Sequence, residues 1–389
     1  MAGSARFDRA GKTLQITTSD KAVIHWQDFS IGEGARTRFI QPGAHSAALN
    51  RVVSGLPSNI LGDLEANGKL FLINPNGVLI GPGARIDTAG FLASTLDVSD
   101  AQFLAGGDLD FLGSSTASIV NQGTINAIGG DVFLIARSVE NSGAINAPEG
   151  TVGLAAGQDV LLKQAGDERL FVRPGTGTKG GTGVTQSGRI AAAAAELKAS
   201  GNLYALAINH SGVTRATGAV SKGGRVFLTA NGGSVQHSGQ ISARKGSAGG
   251  RVQITGRNVA LTGAAVVDAS GEAAGGEILI GGDFQGRNPD VENAQSVFVG
   301  PGVTLNADGG ATLSGAEPAA IAGADGGRVI VWSDGATEFH GSISARALGA
   351  TGDGGFVEIS GKQSLGYFGL VDLRALGGRT GTLLLDPID

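Results

Sequence analysis

The chain has 389 residues, of which 68 are glycine, 10 proline and none cysteine, with 41% apolar residues, 16% charged residues and a formal net charge of −5. Glycine in such excess, without a Gly-X-Y period or abundant proline, excludes a collagen-like chain and a proline-rich linker, and the apolar content excludes charge-driven disorder. The missing cysteines exclude disulfides, thiolate metal sites and cysteine nucleophiles; the acidic balance without a Lys/Arg run argues against nucleic acid; and no apolar stretch reaches the roughly 18 residues of a membrane helix.

In chain order, the start Met1-Ala-Gly-Ser4 carries neither a basic n-region nor an apolar h-region. The expectation is a cytosolic chain or one whose signal peptide has been removed. Residues 5–110 are denser in large apolar residues than the rest. The run Val23–Ser30 alternates and predicts a strand that ends in a glycine turn, with Trp26 in the core. Ala48-Leu-Asn-Arg-Val-Val53 follows; for Asn50 the reading is burial in a turn, with direct contact to a partner as the other reading. Gly68–Gly81 reads as strand, turn, strand around Asn74-Pro75-Asn76-Gly77. Pro sets φ near −65° and the Asn-Gly pair accepts positive φ, so this is strong turn chemistry. A repetitive β stack needs its open end covered, because bare edge strands aggregate. Residues 1–110 are therefore expected to form the cap and first rungs, and 111–389 the continuing rungs.

From residue 111 two phrases repeat. One is Gly-Gly, a variable residue, then an alternating apolar run, starting at Gly129, Gly223, Gly249, Gly275, Gly326 and Gly354. The other is an aliphatic residue, any residue, then alanine, as in Ile125–Ala127, Ile145–Ala147, Ile241–Ala243, Ile343–Ala345 and Leu373–Ala375. Period-two alternation is the strand signature. Val226/Leu228, Val252/Ile254, Ile278/Ile280, Val329/Val331 and Val357/Ile359 should face the interior. Phe227, Gln253, Leu279, Ile330 and Glu358 should face outward. The alanine run Ala191–Ala195 should be strand despite its helix propensity. The starts at Gly223, Gly249 and Gly275 are 26 residues apart, and coils of about 20–27 residues turned by glycine predict a β-solenoid; a propeller blade needs about 40–45 residues and fits poorly. Insertions are expected near 281–295 and 309–327.

The charged residues offer little chemistry. Asp108 and Asp110 share a strand face and Asp283, Asp290 and Glu292 share a loop, but His25, His45, His210, His237 and His340 read as scattered. No triad or metal cluster emerges, so no enzyme, cofactor or metal is expected. The loop lacks the periodic Gly/Asp nonapeptide of calcium-binding solenoids. Asn209-His-Ser211 is the chain's only Asn-X-Ser/Thr sequon, which makes Asn209 a candidate glycosylation site.

The segments His25–Ala35, Ala48–Gly55, Gly68–Ser99 and Asn202–Gly212 resemble the secretion domain of two-partner-secretion exoproteins, the filamentous-haemagglutinin family. Gly249–Asp283, Gly326–Ala345 and Gly381–Pro387 are similar to its high-molecular-weight adhesin branch. The resemblance covers almost the whole chain. It implies an all-β, right-handed parallel β-helix with an N-terminal β cap and extra-helical hairpins or loops. It also implies recognition by the periplasmic POTRA domains of an outer-membrane TpsB-family transporter, passage in extended form, and folding outside a Gram-negative cell as a monomeric secreted or surface adhesin. Asn50, Arg51, Asn74, Pro75, Asn76 and Gly77 become the candidate partner-recognition residues. A second Asn-Pro-Asn motif of the haemagglutinin branch is missing; the nearest match is Asn288-Pro-Asp290. Both ends look cut, so a fragment of a larger adhesin is expected. Two other readings stand beside this one: a host glycan or matrix-binding module in residues 200–389, and, third, a polysaccharide-active β-helix enzyme.

Overall fold

The computed structural model describes residues 2–173, 182–200, 206–218, 223–311 and 323–387. It divides into two compact units, Met1–Ala192 with Glu196–Ser200, and Ala193–Ala195 with Gly201–Asp389. In each, short strands from successive coils stack in parallel to make three ladders, the architecture of a parallel β-helix.

In the first unit one ladder runs through Thr13–Thr18, Arg36–Ile40, Asp63–Ala66, Arg85–Thr88 and Thr124–Ala127 into Ala144–Ala156. A second runs through Ala22–Trp26, Ala47–Val52, Lys69–Ile73, Gly90–Ser94 and Val132–Ala136. The third runs through Ser58–Ile60, Val78–Ile80, Ser118–Asn121, Ser138–Asn141 and Val184–Gln186. Strict register puts like side chains above one another. Leu64, Ile86, Ile125 and Ile145 form one interior column, each at most 1% exposed. Each such side chain contributes about 1.5–3 kcal/mol of burial that no lone coil could gain.

The pairing changes at the starting edge. Ala5–Ala10 pairs antiparallel with Thr13–Thr18, and Ala2 bridges Val23, also antiparallel. An antiparallel neighbour ends the parallel stack at this edge, and all six residues of Ala5–Ala10 are exposed. Trp26 packs edge-on between Phe7 and Phe29, at ring centroids of 5.6 and 5.1 Å, and is half-buried rather than in the core. One insertion, built from two excursions, leaves the stack: the helix Asp100–Ala105 and the strand Leu109–Leu112 after Ser94, and Asp159–Leu162 with Leu170–Val172 after Ala156, the three strands forming an antiparallel sheet. They cover the outward face of the second ladder in one apolar cluster that includes Leu49, Leu92, Phe103, Phe111, Phe133 and Val160.

In the second unit the repeat has the expected register. Arg225, Arg251, Glu277, Arg328 and Phe356 stand at equivalent positions, and the five predicted inward pairs are all fully buried. The Gly-Gly phrase owes its second glycine to close approach rather than to turning. A Cβ on Gly250, Gly276, Gly327 or Gly355 would lie 2.0, 2.1, 2.2 or 2.0 Å from the carbonyl oxygen of the glycine one coil below. None of these four has positive φ.

Four further sequence expectations need correction. Leu279, Ile330 and Glu358 do lie on the outward side of their strands, yet each is 0% exposed. The excursion after Ile280 folds back, and its Val291 packs with Leu279, Ile330 and Trp332. Leu373–Ala375 is not the equivalent of Ile343–Ala345: Ile343 pairs with Val371 and Ser344 with Asp372, a shift of two residues. Asn50 lies in the strand Ala47–Val52, not in a turn. His210 and His237 are neighbours rather than scattered. The alanine run is strand, within Arg189–Ser200. Most of the expected 309–327 insertion, residues 312–322, lies outside the described residues.

Candidate functional site

The predicted site residues fall on neighbouring coils near the N-terminal end. Asn50 stands in register with Ile24 and Leu72 in an interior column and is 0% exposed. A bare amide there would cost several kcal/mol. It is satisfied by Trp26, whose indole Nε1 donates to Asn50 Oδ1 at 3.0 Å, and by its own Nδ2 donating to Phe71 O at 3.3 Å.

Arg51, the next residue, points to the other face and ties the second ladder to the insertion. Its guanidinium donates to Asp97 Oδ1 at 3.0 Å, Asp100 Oδ1 at 2.6 Å and Val98 O at 2.7 Å. Asp100 opens the helix that Ser99 caps, its side chain accepting from Gln102 N. Burial strips water from Arg51 and opposes its charge, but the hydrogen bonds and charges of Asp100 and Asp97 outweigh that and raise its pKa.

The Asn74–Gly77 segment is a fully bonded corner between the second and third ladders. Asn74 is 0% exposed. Its Nδ2 donates to Leu56 O at 3.0 Å and Ser58 Oγ at 2.9 Å, and its Oδ1 accepts from Asn76 N at 2.9 Å. Asn76 Nδ2 donates to Ser54 O at 2.8 Å, so both asparagines clamp the preceding coil. Ser115 Oγ donates to Pro75 O at 2.6 Å from the following one. Gly77 adopts φ of 105°, which its glycine permits. Pro75 is the exposed tip.

Asn209 lies within the strand Leu206–His210, opposite Gln236, half-buried and on the side away from His210. Sequence reasoning missed what stands beside it. A column of buried polar residues occupies the third ladder. In the first unit Asn121 Nδ2 donates to Asn141 Oδ1 at 2.7 Å, and Asn141 Nδ2 to Gln186 Oε1 at 2.6 Å. In the second unit His210 and His237 face each other Nδ1 to Nδ1 at 3.0 Å, and His210 Nε2 meets Thr214 Oγ1 at 2.8 Å. Burial is the main cause that depresses both: His210 to about 3, with the charge of His237 adding, and His237 to about 4. The signal was in the sequence, because Asn121, Asn141, Gln186, His210 and His237 each stand two residues before a glycine that precedes the next strand.

Three of the carboxylates weighed for catalysis are engaged otherwise. Asp110 pairs with Arg173, Asp283 with Arg328, and Asp108 accepts from Gln164 N. Among the described residues no three His, Cys, Asp or Glu side chains group as a metal site, and no helix is long and apolar enough to cross a membrane.

The fold and this corner define a parallel β-helix that begins on an antiparallel strand at its N-terminal end, with an appended antiparallel sheet. The chain belongs to the TPS secretion domain family, whose model matches residues 8–243. It is similar to the HMW1 secretion domain from Haemophilus influenzae, with a TM-score of 0.77 and 32% identity over 99% of this chain and 98% of that one. It is also similar to two Haemophilus influenzae proteins named heme/hemopexin-binding protein. One is 52% identical over 80 residues, 21% of this chain and 9% of that protein. The other, from strain ATCC 51907, is 43% identical over 97 residues, 25% of this chain and 11% of that protein. The matched segments thus span about a tenth of these relatives. The chain is a secretion-signal domain of the HMW1 type, and its family implies a cognate TpsB transporter. The family comprises secretion domains of secreted or surface proteins of Gram-negative bacteria and is not an enzyme family.

Proposed function

We propose that residues 1–110 are the part of this domain that the transporter reads, through its periplasmic POTRA domains, and that the same residues nucleate folding after export. In this reading Asn50, Arg51 and Asn74–Gly77 belong to the recognition segment, and the exported protein is a surface adhesin. The observation that carries it is the change of pairing at the starting edge: Ala5–Ala10 and Ala2 pair antiparallel there, so the parallel stack begins at this end and later coils add on the other side. A chain emerging in extended form would then add one coil at a time, each burying its apolar stripe on the last. Asn74 and Asn76 fasten one early coil to its predecessor, which suits both recognition and nucleation.

The test uses the full chain. Binding of chain freshly diluted from urea to the transporter's isolated POTRA domains is compared between wild type and Asn74→Ala/Asn76→Ala, alongside export in cells that carry the transporter. Loss of both binding and export supports recognition by this segment. Loss of export with unchanged binding assigns the segment to folding, and unchanged binding and export overturn both roles. For Asn209, its outward side would accommodate a glycan added before folding, and mass spectrometry of the exported chain reads it directly.

A further inference from the structure

The insertion does not pack flush on the stack. Between the outward face of the second ladder, the helix Asp100–Ala105 and the antiparallel sheet lies a cavity of about 220 Å³. It sits just below the range of roughly 300–1,000 Å³ typical of small-molecule sites, which sets the size of a fitting ligand at one ring with a short chain.

The cavity arises from one residue. Ala47, Lys69 and Gly90 occupy successive positions of the ladder, so the coil between Lys69 and Asp131 projects no side chain. Beyond the gap the walls are apolar. Phe71 and Phe103 meet edge-to-face at 5.2 Å, and Phe133, Leu109 and Leu162 complete the lining. Aromatic walls of this kind favour a second ring.

The rim carries more cations than carboxylates: Lys21, Lys69, Lys163 and Arg169 against Asp20 and Asp131. Asp131 accepts from Arg169 at 3.1 Å and Thr151 N at 2.8 Å, and Asp20 accepts from Lys21 N and Ala47 N, each at 2.9 Å. Lys21 Nζ is held by Leu104 O. Lys69 and Lys163 also line the cavity, and neither has a carboxylate partner among the described residues; Lys163 Nζ lies 4.4 Å over the Phe171 ring. The Lys69 ammonium, without a carboxylate partner among the described residues, stands at an apolar, aromatic hollow and calls for a ligand with a negative head and a hydrocarbon body.

We propose that this cavity is a binding site for a small amphipathic carboxylate, an aromatic or short acyl body seated against Phe71, Phe103 and Phe133 with its carboxylate at Lys69. A positively charged or neutral molecule of the same shape gains nothing at the rim. The site lies outside Asn50, Arg51 and Asn74–Gly77 and does not depend on transporter recognition.

The probe is 4-phenylbutyrate, titrated into the purified full chain by calorimetry and ligand-observed NMR beside its amide and 4-phenylbutylamine. The expected result is saturable one-to-one binding of the carboxylate, with amide and amine weaker by about tenfold or more, which corresponds to about 1.4 kcal/mol. Gly90→Leu should abolish binding by filling the hollow. Gly90 has ordinary φ, and a Cβ there would meet Asp131 O and Lys69 Cγ at 3.4 Å, so the backbone accepts a side chain at this position. Lys69→Gln should weaken the carboxylate about tenfold and leave the amide unchanged. Equal binding of all three probes, no saturation by the carboxylate, or full binding by Gly90→Leu overturns the proposal. Should Gly90→Leu fail to fold, the comparison of the three probes on the unaltered chain still decides it.

Discussion

His210 and His237 lie one coil apart with their ring centroids 4.8 Å apart and Nδ1 against Nδ1 at 3.0 Å. Both rings are 0% exposed, so one nitrogen of the pair carries the proton and the other accepts it. A second proton has no acceptor there.

That pair makes stability fall in mild acid. In the unfolded chain each histidine titrates near 6.5, while in the fold the values are about 3 and about 4. Between these limits the unfolded chain binds more protons, so stability is full above about pH 6.5 and is lost as the pH falls. At pH 5 the loss is about 2 kcal/mol for each histidine. Urea denaturation of the full chain at pH 7 and pH 5, followed for the transition of the second unit, measures it. His210→Gln/His237→Gln should flatten that pH dependence, and an unchanged slope in the double variant would count against the assignment.

The inward columns were legible because period two needs only neighbours in sequence: Val252 and Ile254 declare themselves within three residues. What lay outside such windows was lost. Leu279 and Ile330 read as outward, which they are, but the cover over them comes from Val291 on an excursion whose path no local pattern encodes. Asn50 read as a turn residue because amides favour turns, whereas Trp26 and Phe71 O supply in the interior what water supplies outside. The Leu373 copy misled because its aliphatic-X-Ala spacing recurs two residues out of register. The histidine pair was readable, since His-Ser-Gly recurs at 210 and 237, one coil apart. The hollow at Gly90 was not, because it needs an insertion from elsewhere in the chain to roof it.

Arg51 should matter through its fork more than through its charge. It is 14% exposed and serves two carboxylates and a carbonyl at once. Arg51→Ala is expected to cost about 2–3 kcal/mol by leaving Val98 O and the start of the helix unpaired. Arg51→Lys should recover less than half, since one ammonium cannot span the three acceptors. Thermal denaturation ranks the variants, and hydrogen exchange at Phe103 N and Gly106 N reports whether the helix has loosened.

Two glycines should invert the usual expectation from φ. Gly263 has φ of 63° and open space around it, so Gly263→Ala should cost about 1 kcal/mol of strain. Gly276 has ordinary φ, but its Cβ would stand 2.1 Å from Gly250 O. Two coils hydrogen-bonded at this corner, Glu277 N to Gly250 O at 2.9 Å, must part to admit it. Gly276→Ala is therefore expected to cost about 3 kcal/mol or more, on the order of other severe overpacking. Chemical denaturation of both variants decides the order, and equal costs would show that the coils separate easily.

Asn74→Ala should destabilise the first unit by about 2–3 kcal/mol, because it strands Ser58 Oγ and Leu56 O on one side and Asn76 N on the other. Asn76→Ala removes the Nδ2 bonds to Ser54 O and Asn74 Oδ1 from a half-exposed residue, and about 1 kcal/mol is expected. Asn74→Asp supplies the discriminating comparison. It keeps the acceptor for Asn76 N but replaces the donor with a carboxylate oxygen facing Leu56 O. The Asn74→Asp variant should then be at least as unstable as Asn74→Ala at pH 7, and less so below the carboxyl's pKa, where the protonated acid donates again. Denaturation curves at pH 7 and pH 4 give the sign. If Asn74→Asp proves as stable as the native chain at pH 7, the Nδ2 bonds are not what holds this corner to the coil before it.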